Sequence, residues 1–120
     1  MIDAQAVFEL MMTLGGLSEE QKDKALEICE IAADEMSNQL TDSAFGNEKA
    51  VIYACAAVSL YRYHLSEGLS DDDYESLKAG DITVKRSPSL KLEIAENLKD
   101  TALSAAARYL NDMSFAFKVV

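Results

Sequence analysis

The chain is expected to fold as one mostly α-helical domain: about four helices in a bundle, a small β-hairpin between helices 3 and 4, and a short C-terminal strand or arm. Three observations carry that expectation. Apolar residues recur three and four apart over four long stretches, which is the helical period. Glycine and proline are sparse, at five and one, and cluster between those stretches. The period switches to strict alternation at two places only, near residues 74–86 and 114–120. A length of 120 residues suits a single domain spanning 1–120, and a chain this size buries roughly two-thirds of the surface its unfolded form exposes.

The first helix is expected over residues 3–14, with Val7, Leu10, Met11 and Leu14 on its apolar face and Gly15-Gly16 as its stop. Ser18 starts the second, with Gln21 three positions on completing a capping box and Glu19 and Glu20 at the positive end of the helix dipole. That helix runs to about Leu40. Ala25, Ile28, Cys29, Ala32, Met36 and Leu40 form its stripe, and Glu20, Asp23, Glu27, Glu30 and Asp34 its acidic side.

After a connection over 41–46, Asn47 is placed to cap the third helix. From Ala50 to Tyr61 only Ser59 is strongly polar, so this helix is expected at the centre, with Ala50, Ala54, Ala56 and Ala57 admitting close neighbours. Gly68 is its expected end. Residues 69–73 form an acidic loop. Ile82 and Val84 then alternate with Asp81, Thr83 and Lys85 around an Ala79-Gly80-Asp81 turn, which predicts a hairpin pairing roughly 74–78 with 82–86.

Ser87-Pro88 opens the fourth helix, with serine as cap and proline where its missing N–H costs nothing. It is expected to reach about Asn111 with Leu90, Ile94, Leu98, Ala102, Ala105, Tyr109 and Met113 as its stripe. In the tail, Phe115, Phe117 and Val119 face one way and Ala116 and Lys118 the other. An isolated hairpin is marginal, and an apolar strand edge invites another chain, so this segment is expected either to dock within its own chain or to meet a neighbour.

The charge is strongly acidic, with 11 Lys+Arg against 21 Asp+Glu and a formal net charge of −10. Direct grip on a phosphate backbone or an anionic membrane depends on cations, so both are disfavoured. The asymmetry is internal too. Residues 1–46 hold ten acids against two bases, whereas residues 82–120 hold six bases against four acids, a pattern that suits head-to-tail packing of identical subunits.

No reaction centre is legible. His64 is the lone histidine, and neither Cys29 nor Cys55 has a histidine near it in sequence. The two cysteines read as buried free thiols in a reducing compartment, ahead of a disulfide or a metal site. A structural zinc site wants about four soft or imidazole ligands, and the chain has three. Counted from Asp71, an EF-hand loop would need glycine and glutamate where Ser76 and Ile82 stand. Gly15-Gly16 lacks the lysine and the preceding strand of a phosphate loop. No enzyme activity, cofactor or metal is therefore expected. No targeting or membrane-spanning segment is expected either, since the most apolar run is about half a bilayer crossing.

The hairpin stretch Ser76-Leu77-Lys78-Ala79-Gly80-Asp81-Ile82-Thr83-Val84, the Tyr61-Arg62-Tyr63 stretch ahead of it, and the long helix and aromatic tail behind it resemble the head–tail connector (adaptor, or head-completion) proteins of long-tailed bacteriophages and prophages. The resemblance covers roughly residues 47–120; its motif is short, and the first two helices match in general pattern only. It implies a homo-oligomeric ring that docks on the phage portal protein, extends the DNA channel and receives a downstream neck or tail protein. It implies no catalytic residues. The chain would reside in the host bacterial cytoplasm during assembly and in the virion neck afterwards. The positions matching the family's oligomer and portal contacts are Leu77, Ile82, Val84, Phe115, Phe117 and Val119. The acidic side of the second helix, Glu27, Glu30 and Asp34, is the expected face toward a channel that DNA passes without tight binding. The alternative is a small acidic helical regulatory or binding module acting through protein–protein contacts.

Overall fold

The computed structural model describes residues 1–66 and 90–113. Among them are four α-helices: α1 (Ala4–Gly15), α2 (Lys22–Ser37), α3 (Lys49–Ser66) and α4 (Leu90–Ala106), with 3-10 turns at Glu19–Gln21, Ser43–Asn47 and Ala107–Tyr109. The expected hairpin over 74–86, the Gly68 stop, the Ser87-Pro88 start and the tail strand over 114–120 lie outside the described residues.

Local chemistry sets the first two boundaries close to where the spacing predicts, though α2 ends at Ser37 rather than about Leu40. The Asp3 carboxylate accepts the Gln5 backbone N–H at 2.9 Å, so Asp3 stands as the cap rather than the first helical residue. Gly16 closes α1 in the left-handed region at φ 59°, where a Cβ would be strained, and its N–H donates to the Met12 carbonyl. At the next start the Ser18 backbone N–H donates to Gln21 Oε1 at 2.8 Å, the reach-back half of a capping box. That start is a single 3-10 turn, and α2 proper begins at Lys22.

The third boundary corrects the sequence expectation. Asn47 is the last residue of the Ser43–Asn47 turn rather than the cap of α3. Glu48, extended at ψ 134°, takes the capping place, and its carbonyl accepts the Ile52 N–H at 3.0 Å. Asp42 holds the turn ahead of it by accepting the Ala44 N–H at 2.9 Å.

The helices run alternately up and down. Gln21, at the start of α2, bonds Tyr63 at the end of α3, while the backbone N–H of Ile2, ahead of α1, donates to Ser37 at the end of α2. The ends of α1 and α3 meet, since a Cβ on Gly15 would come within 2.6 Å of Leu60. α3 is the spine, packing on α1, α2 and α4, and α1 and α2 also pack on each other. Its middle is buried without interruption from Ala54 to Tyr63. Around it gather Val7 and Met11 of α1, Ile28, Cys29 and Met36 of α2, and Leu103 and Ala106 of α4.

The far end of α4 is tied to the link between α2 and α3. The Thr41 N–H donates to the Tyr109 carbonyl at 2.9 Å and the Asn111 N–H to the Gln39 carbonyl at 2.7 Å. Leu40 and Leu110 make a one-residue antiparallel bridge there, and the Phe45 and Tyr109 rings meet edge to face at 5.0 Å.

The small residues of α3 set its distance from its neighbours. Ala57→Leu is therefore expected to lower unfolding free energy by about 1–3 kcal/mol through overpacking, whereas Ile94→Ala, at an exposed site on α4, should change it by under about 0.5 kcal/mol. Urea titration followed by circular dichroism measures both.

Candidate interaction surface

The phase of α4 decides which apolar side chains reach the surface. Its buried row is Leu92, Ala95, Lys99, Ala102, Leu103 and Ala106. The sequence stripe through Ile94, Leu98, Ala102 and Ala105 is thus partly out of phase: Ile94 is 59% exposed, Leu98 half-buried and Ala105 exposed. Apolar residues occupy two overlapping rows of this helix, and the row carrying a lysine is the one that turns inward.

That lysine is accommodated by a polar cluster on the spine. Lys99 Nζ lies 4.3 Å from the centroid of the Tyr61 ring and 3.6 Å from Asp100 Oδ1, with the residue only 3% exposed. The ring face offers a cation–π seat and the stem packs as hydrocarbon. Burial lowers the Lys99 pKa, against the opposing pull of Asp100 and Glu96. Burial likewise raises that of Tyr61, helped by the Glu96 and Asp100 charges. One residue along, Arg62 donates both guanidinium nitrogens to Glu35 of α2, at 2.9 and 3.2 Å. At the end of α3 the Gln21 amide donates to the Tyr63 hydroxyl at 2.7 Å, and Lys24 stands over the Tyr63 ring at 5.4 Å. These groups bind helix to helix. Tyr61, Arg62 and Tyr63 fall on the central helix as expected. The pattern predicts that the helix emerges at Arg62, Tyr63 and His64, whereas Arg62 and Tyr63 are buried because Glu35 and Gln21 of the α2 side pair with them. Sequence reasoning missed Glu35 and Lys99. The available signal was a lysine repeating at the spacing of buried Leu92, Ala95 and Ala102.

An open groove lies beside this cluster. Leu14 and Gly15 of α1, Leu60 and His64 of α3, and Lys91, Ile94, Ala95 and Leu98 of α4 line a volume of about 190 Å³, mostly apolar. Gly15 lets the end of α1 approach Leu60 there. Ile94 and Met1 are the large hydrophobic residues left exposed among the described residues.

The other expected site residues divide into two sets. Glu27, Glu30 and Asp34 are all exposed on one side of α2, spaced three and four apart as expected. Leu77, Ile82, Val84, Phe115, Phe117 and Val119 lie outside the described residues.

The thiols sit in the core. Cys29 and Cys55 are free and fully buried, and the Cys29 thiol donates to the Met11 sulfur at 3.2 Å. Burial pushes the Cys29 thiol up to about 11, with the Ser59 hydroxyl pulling the other way and Glu30 adding to the rise. Burial raises Cys55 further. Both stay protonated and poorly nucleophilic at neutral pH. Among the described residues, no three His, Cys, Asp or Glu side chains gather as a metal site, and no helix is long and apolar enough to cross a membrane.

Comparison with protein-family models, with curated protein sequences and with solved structures finds no match to this chain.

Because folded Cys29 holds its proton more tightly than the unfolded chain does, its contribution to stability is complete below about pH 9 and is lost as the pH climbs toward 11. The unfolding free energy of the wild type, measured against Cys29→Ala, should hold level from pH 7 to 8 and then fall. The slope between pH 9 and 11 should approach about 1.4 kcal/mol per pH unit. A difference that stays flat to pH 11 would place that thiol in water.

Proposed function

We propose that this chain is a structural component of a phage or prophage neck: it oligomerises into a ring at the portal, joins head to tail and extends the DNA channel. The observation that carries this reading is the exposed acidic side of α2, where Glu27, Glu30 and Asp34 stand within two turns of helix in a chain of net charge −10. A conduit for DNA must pass the duplex without holding it. A carboxylate wall achieves this because it repels phosphates and presents no basic side chains to displace the duplex's condensed counterions. The buried polar cluster supports the same reading in a different way. Ion pairs and cation–π seats between helices keep the body of each subunit in one arrangement, as a load-carrying ring requires.

In this proposal the six positions Leu77, Ile82, Val84, Phe115, Phe117 and Val119 make the subunit and portal contacts, and Glu27, Glu30 and Asp34 turn to the channel. The partners are further copies of the chain, the portal protein, and a downstream neck or tail protein. A small acidic regulatory or binding module would share the composition, and it predicts no self-assembly of the chain.

Wild-type protein should leave duplex DNA unshifted in a gel-retardation assay at low salt. The triple reversal Glu27→Lys, Glu30→Lys, Asp34→Lys should retain it, and added salt should release it steeply, since each phosphate neutralised contributes a slope of about −0.9 to log K against log salt. Tight DNA binding by the wild type sinks the channel assignment.

A further inference from the structure

We draw no further inference here: the strongest candidate, the apolar groove between α1, α3 and α4 with Ile94 exposed at its edge, carries nothing because nothing in the structure shows what covers it.

Discussion

The burial of α3 on every side is the constraint from which the rest of the structure follows. Residues 54–63 of this helix are all withdrawn from water, so it must be covered by α1, α2 and α4 together. Its alanines allow the neighbours to come close, and dense contact rather than large side chains fills the interior. Met11, Met36 and Leu103 supply the bulk from outside. A helix so enclosed has little freedom to shift, and the positions of the other three are set relative to it.

Enclosure has a second consequence. The covered part of α3 includes Ser59, Tyr61, Arg62 and Tyr63, and each polar group among them needs a partner. Ser59 turns its hydroxyl back to the Cys55 carbonyl at 2.8 Å. Arg62 reaches across to Glu35, Tyr61 takes the Lys99 ammonium over its ring, and Tyr63 accepts from Gln21. Buried ion pairs of this kind add little net stability, because desolvation offsets much of the attraction. What they fix is which residue of one helix faces which residue of the next. Lys99 shares the inward row of α4 with Leu92, Ala95, Ala102, Leu103 and Ala106, and with that row buried Ile94 is left at the surface.

The helical part of the fold was legible in the sequence because its signals are local. Asp3, Gly16, Ser18 and Gln21 act within one turn of their own positions, and the apolar run of α3 needs no partner to be recognised. Two features were illegible for the opposite reason. Asn47 lost the capping place because residues 43–47 wind into a 3-10 turn held by Asp42, leaving Glu48 as the extended residue ahead of α3. The phase of α4 buries Lys99 against the ring of Tyr61, thirty-eight positions earlier, a contact that periodicity alone does not weigh. The acidic side of α2 was readable, since exposed charges at helical spacing obey no distant contact. The apolar groove was not, because it is assembled from three helices and from an isoleucine whose pattern placed it inside.

The ring proposed for this chain gives the acidic side of α2 one task, to face a channel that DNA passes without being held. Electron cryomicroscopy of the purified full-length chain in its assembled form tests this most directly. The predicted result is a closed ring of identical subunits in which Glu27, Glu30 and Asp34 turn to the central channel. A ring with α2 on its outer wall, or a compact two-fold dimer, would contradict it.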